Sequence, residues 1–138
     1  MIGDIAKSYI GTPFRHQGRS PHFGLDCAGV LVCALEGAGV RVNDCRVYDR
    51  VPPRDLLQSM VELHGFTEST RPPKTDDVCL FWMRSRRLVI HCGVVVEDGR
   101  SLIHVEAGRA VEAVPLRLWS EQLAATYTYK GKQTWQSS

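Results

Sequence analysis

Three side chains of the 138-residue sequence stand where they could carry nucleophilic chemistry together: Cys27, His91 and His104. Cys27 follows Asp26 and opens the run CAGVLVCALEGAG, which is apolar at nearly every position. It reads as a buried helix, with Asp26 as its N-cap and the glycines at 37 and 39 as its exit. A thiol in the first turn of a helix lies in the partial positive charge of unpaired N–H groups, which favours thiolate over thiol. The same groups can hydrogen-bond an oxyanion formed beside the sulfur. The charge of Asp26 acts the other way, because it repels a thiolate.

A thiolate nucleophile needs a proton acceptor, and residues 88–106 offer two histidines. Asp98-Gly99 is the strongest hairpin signal in the chain, and a two-residue loop there pairs Glu97 with Arg100. Counting back, Val95 faces Leu102, Gly93 faces His104, and His91 faces Glu106. His91 and His104 then share a sheet face as diagonal neighbours, close enough for one imidazole to orient the other. Gly93 leaves room on that face for another group to approach. A slip of one residue would place the two rings on opposite faces. Nucleophile, base and orienting third group follow the logic of cysteine acyl-transfer enzymes. The competing reading is zinc held by Cys27, His91, His104 and Glu106, but no spacing matches a familiar zinc motif, and the expectation is no metal and no cofactor. Among the other histidines, His16 and His22 sit in the loop before Cys27, lining a cleft or facing solvent, and His64 lies near a helix end where it favours the dipole.

Positioning these groups requires helices first and strands afterwards. Residues 2–10 carry helical apolar spacing up to Gly11-Thr12-Pro13. Residues 15–24 form a polar loop, and Asp55 can cap an amphipathic helix through Leu56, Leu57, Met60, Val61 and Leu63. Beyond Asp77 the period becomes that of strands, in VCLFWM, LVIHCGVVV, SLIHVEA and AVEAV, and in ATYTYKG after a short helix near residues 118–123. The expectation is one α+β domain over residues 1–138, with helices packed on one face of an antiparallel meander.

Composition agrees with a globular chain, at 43% hydrophobic and 23% charged residues. A net charge of +2, from 17 Lys and Arg against 15 Asp and Glu, argues for no nucleic-acid partner. No apolar window reaches the about 18 residues needed to span a bilayer, so no membrane insertion is expected. The start MIGDIAKSYIGTPF lacks a signal-peptide h-region, which implies synthesis in the cytoplasm and delivery by another machine. The five cysteines contain no C-x-x-C pair, so Cys33, Cys45, Cys79 and Cys92 read as small core residues.

Four stretches together resemble the NlpC/p60 family of papain-like cysteine peptidases. They are GTPFRHQG at 11–18, LDCAGVL at 25–31, Asp77 within TDDVCLF at 75–81, and the hairpin IHCGVVVEDGRSLIHVEAG at 90–108. The likeness spans about residues 1 to 130 and implies a papain-like fold that hydrolyses amide bonds in peptidoglycan stem peptides. By that resemblance Cys27 is the nucleophile, His91 the general base, and His104 the residue that orients it. Phe14, His16 and Asp26 fall in the substrate-binding or oxyanion region. Within the family the chain looks most like the short cell-wall peptidases of phage tails and gene-transfer particles, in which a late tryptophan, here Trp119, recurs. The partners so implied are peptidoglycan peptides and tail-tip or baseplate proteins, and the place of action is a virion tail at the bacterial periplasm and cell wall. Two alternatives stay open: a catalytically silent structural or plug component of the tail, and an injected amidase toxin. Three departures stand out. Phe14 occupies the place of a tyrosine whose hydroxyl serves the oxyanion hole, Asp76 replaces a glycine, and Ala28 replaces a serine.

Overall fold

The computed structural model describes residues 1–45, 48, 56–83 and 85–131. Helix α1 (Ile2–Lys7) is shorter than its apolar spacing suggests. Ser8, Tyr9 and Ile10 donate to the carbonyls three residues back, at 3.0, 3.0 and 3.2 Å, and this tightening ends the helix before Gly11. The following loop contains a two-stranded ribbon, β1 (Arg19–Ser20) and β2 (Gly24–Leu25), that lacks any sequence periodicity. Helix α2 (Cys27–Gly37) begins where expected, capped by Asp26, and its residues from Ala28 to Leu35 are all buried. A helix buried on every side needs no polar stripe, which is why its sequence shows none. Helix α3 (Leu56–Leu63) buries Leu57, Met60 and Val61, the spacing of one face. Asp55, its expected cap, lies outside the described residues.

Six strands form the main sheet: β3 (Phe66–Ser69), β4 (Val78–Met83), β5 (Ser85–Val96), β6 (Ser101–His104), β7 (Glu112–Pro115) and β8 (Leu123–Tyr129). Their spatial order is β3-β8-β4-β5-β6-β7, with every pairing antiparallel. The meander therefore holds only from β4 to β7. The last strand does not extend it beyond β7 but returns to pair with β4 on one side and β3 on the other. A 3₁₀ segment, Leu116–Gln122, carries the chain back across the sheet. Strand β3 alternates too weakly over its four residues to be read from sequence, and the pairing with β8 is what defines it.

Alternation along β4 and β5 divides the core. Val78 and Leu80, with Cys92, Val94 and Val96, pack under α1, α2 and α3, against Ile2, Ala6, Leu31, Leu35, Leu57 and Val61. Cys79, Phe81 and Val95 face the other way, where Leu102 and Leu116 complete a smaller cluster with Trp119 and Leu123 against it. Three helices thus cover one face, as expected, and the 3₁₀ segment covers part of the second.

The hairpin register is the one counted from Asp98-Gly99, since Val95 pairs with Leu102 and Val94 with Ile103. Asp98 and Gly99 have φ of 56° and 96°, the left-handed pair that a type I′ turn requires, and Arg100 N–H donates to Glu97 O at 3.2 Å. Gly93 does not open space for a catalytic group. A Cβ there would stand 2.6 Å from Leu102 Cδ1 and 3.0 Å from Ile103 O, so the glycine admits the packing of β6. Asp76 takes φ of 75°, a conformation that favours glycine, and its Oδ1 accepts from Gly3 N–H at 2.8 Å.

Candidate active site

The structure brings Cys27, His91 and His104 together from three elements. Asp26 fixes the start of α2: its Oδ1 accepts from Gly29 N–H at 2.8 Å and its main-chain carbonyl from Val30 N–H at 3.0 Å. Cys27 and Ala28 occupy the first two helical positions, whose N–H groups have no intrahelical acceptor, and they supply the local positive field. Strand β5 passes beneath. Its Cys92 points to the helix side, and the Cys92 thiol donates to Cys27 O at 3.3 Å. His91, one residue earlier, points to the opposite face with Phe81 and Trp119.

The half-buried Cys27 thiol lies 4.0 Å from Ile90 O, with Cys92 and His91, the next two residues of β5, as its electrostatic neighbours. Its pKa lies well below that of an ordinary thiol, first through its interaction with Cys92 and then through the proximity and charge of His91, against the opposing effects of burial and Asp26. Cys92 moves the other way, pushed well up by its interaction with Cys27 and by burial, so its thiol stays protonated and is the donor to Cys27 O. Sequence reasoning placed Cys92 among the core cysteines. Only the crossing of α2 over β5 makes it a neighbour of Cys27.

His91 Nε2 lies 2.8 Å from His104 Nδ1, and both residues are buried, at 5% and 1% exposure. With Nε2 turned to His104, Nδ1 is the ring atom left for Cys27. A neutral His91 that accepts there carries its proton on Nε2 and donates it to His104 Nδ1. That arrangement requires a neutral His104, and burial together with the neighbouring His91 lowers the His104 pKa to about 4. Trp119 closes the far side of the pair. It stacks on the His91 ring at 5.2 Å and 26°, meets His104 edge-on at 4.9 Å, and leans on Phe81 at 5.4 Å. The indole holds both imidazoles in place and keeps water from that side.

The three residues expected beside this centre have different surroundings. Phe14 donates its backbone N–H to Arg109 O at 2.9 Å and packs its ring against the main core, offering no polar group. His16 Nε2 is 3.1 Å from Tyr48 O, its ring edge-on to Tyr48, and it lines an open cleft of about 470 Å³ with Arg15, Gln17, Ser20 and Phe23. Asp26 is 5% exposed and saturated: besides Gly29 it accepts from Arg19 Nη1 at 2.9 Å, from Gln17 N–H at 3.0 Å and from the Tyr48 hydroxyl. Of the remaining histidines, His22 is exposed. His64 is buried between Met60 O, 2.6 Å from Nδ1, and Asn43 N–H, which donates to Nε2 at 2.8 Å. It sits at the end of α3 as expected, donating from Nδ1 to a carbonyl of the last turn, and it also bridges that helix to the loop at Asn43. Cys33, Cys79 and Cys92 are buried as expected, whereas Cys45 is exposed. Among the described residues no three His, Cys, Asp or Glu side chains converge as a metal-ligating group. Among them, too, no helix is long and apolar enough to cross a membrane.

No family model and no curated protein matches the chain. Solved structures do. The NlpC/p60 domain of the peptidoglycan hydrolase SagA superposes with a TM-score of 0.64 at 23% identity, over 92% of this chain and 95% of that one. An NlpC/p60 family protein from Bacillus cereus gives 0.69 at 23% identity over 93% of this chain, and NlpC2 from Trichomonas vaginalis gives 0.67 at 15% over 96%. This chain spans 39% and 46% of the length of those two. At such identities the likeness is one of fold: the architecture is the α+β arrangement of NlpC/p60 domains.

Proposed function

We propose that this chain, folded as an NlpC/p60 domain, is a cysteine peptidase that hydrolyses amide bonds in peptidoglycan stem peptides. The observation that carries the reading is the juxtaposition of Cys27, at the start of a buried helix and against Ile90 and Cys92 of β5, with His91 between those two residues and His104 2.8 Å beyond its Nε2. His91 Nδ1 takes the thiol proton, and the thiolate attacks the peptide carbonyl. The resulting oxyanion forms beside the sulfur, within reach of the Cys27 and Ala28 N–H groups at the helix start. The imidazolium then protonates the leaving amine, and a water activated by the same ring resolves the thioester. His104 accepts the His91 Nε2–H throughout, so the ring keeps its orientation while its charge changes.

The same reading places the enzyme in a phage tail tip or a related particle, where it opens the cell wall locally during delivery. Phe14 favours a second reading, because it removes the hydroxyl expected to assist the oxyanion: a silent plug or docking component of the tail. An injected amidase toxin would use the chemistry of the first reading with another delivery route.

The deciding experiment is mass spectrometry of peptidoglycan fragments incubated with the wild-type chain and with Cys27→Ala, His91→Ala and Cys33→Ala. Cleavage by wild type and Cys33→Ala alone supports the peptidase and identifies the bond from the product masses. Equal activity in all four removes the assignment, and no cleavage over several stem-peptide chemistries turns the reading to the silent component.

A further inference from the structure

Asp26 poses an electrostatic problem at the site. It is the residue before the nucleophile, and an uncompensated carboxylate there opposes the field that the α2 N-terminus applies to the sulfur. A neutral asparagine caps a helix about as well as aspartate, so capping alone does not call for the charge. The charge is nevertheless buried with a partner. Arg19 on β1 places Nη1 2.9 Å from Asp26 Oδ1, and both side chains are only 8% exposed.

The guanidinium is held from every direction. Nε donates to Asp44 Oδ2 at 2.7 Å, and Nη2 donates to Asp44 Oδ1 at 3.2 Å, to the Tyr48 hydroxyl at 3.0 Å and to Cys45 O at 3.3 Å. Nη1 also donates to Gly18 O at 3.0 Å. Burying such a pair carries a desolvation cost that its mutual attraction often only offsets, so stability is a weak reason for it. Its position supplies a better one.

We propose that Arg19 is a positioning residue of the cysteine site: its one positive charge, buried against Asp26 and Asp44, offsets part of the negative charge beside the cap and so keeps the Cys27 sulfur in the field of the α2 N-terminus. The inference rests on the reading of Cys27 as the nucleophile and deepens it. Asp26 on its own element and Cys92 and His91 on β5 face the sulfur, with His104 on β6 behind His91. Arg19 acts from β1 through Asp26.

The charge arithmetic is specific. Relative to wild type, Arg19→Gln leaves the cap one unit more negative and Asp26→Asn one unit more positive, while the double variant restores the original balance. The midpoint of Cys27 alkylation by iodoacetamide, followed against pH by site-resolved mass spectrometry on the full chain, should therefore follow the order of these charges. Asp26→Asn titrates lowest, wild type and the double variant together, and Arg19→Gln highest, displaced by about one pH unit.

A merely structural Arg19 predicts a different pattern, in which every variant that breaks the pair shifts in one direction and the double variant is as displaced as Arg19→Gln. That pattern, or a wild-type profile in Arg19→Gln, overturns the proposal. If Arg19→Gln fails to fold, the order of the other three still decides, because the double variant must return to wild type from the lower midpoint of Asp26→Asn. Alkylation needs no peptidoglycan, so this outcome is independent of whether the chain cuts it.

Discussion

Replacing His104 by alanine removes the acceptor that faces His91 Nε2 across 2.8 Å and leaves that N–H without a partner in a site where His91 is only 5% exposed. Stranding a buried donor costs about 1–3 kcal/mol, and a hydrogen bond to a charged group contributes about 1.5–3. In the proposed reaction the His91 ring becomes charged, so the loss is concentrated in the transition state. At 1.36 kcal/mol per factor of ten, kcat should fall about 10- to 150-fold with little change in KM. Asparagine is the informative control. Its side-chain oxygen can occupy the position of His104 Nδ1, so His104→Asn should recover most of the activity, whereas the longer His104→Gln should not. The assay is the initial rate of product-peptide release from peptidoglycan fragments by mass spectrometry, with thermal melting to establish that each variant is folded. Wild-type kcat in His104→Ala, or equal impairment in Ala and Asn, would refute the orienting role.

Trp119→Ala removes an aromatic contact worth about 0.5–1.5 kcal/mol from the face of His91, and should lower kcat about 2- to 12-fold, with chemical denaturation showing that the variant is still folded. Stability should also depend on pH through His104. Its pKa is depressed from 6.5 to about 4 on folding, so the unfolded chain binds the extra proton between those values. The contribution is complete above pH 6.5 and is lost as pH falls through 4, amounting to at most about 3 kcal/mol. Melting temperatures from pH 7 to pH 4 should show this slope in wild type and a flatter one in His104→Asn.

Cys27, His91 and His104 were legible in the sequence because local rules fix their immediate geometry. The N-cap at Asp26 places Cys27 in a first helical turn, and the Asp98-Gly99 turn sets a register in which period-two alternation makes the two histidines diagonal neighbours. The α+β class followed for the same reason, from a change in apolar period near Asp77.

Contacts between distant segments left no such mark. The return of β8 to β4, the pairing of β3, and Cys92 beneath Cys27 depend on how packed layers cross. Trp119 was noticed by resemblance alone, and its stacking on His91 needed the 3₁₀ segment to be folded back over the sheet. Arg19 gave no signal, since nothing in a polar loop marks the one arginine that will be buried against the cap of the next helix. The two-residue period of a hairpin and the first turn of a helix are decided within a few residues of chain. Which charges become neighbours in the interior is decided only when the apolar faces close, because it is the exclusion of water that makes their pairing obligatory.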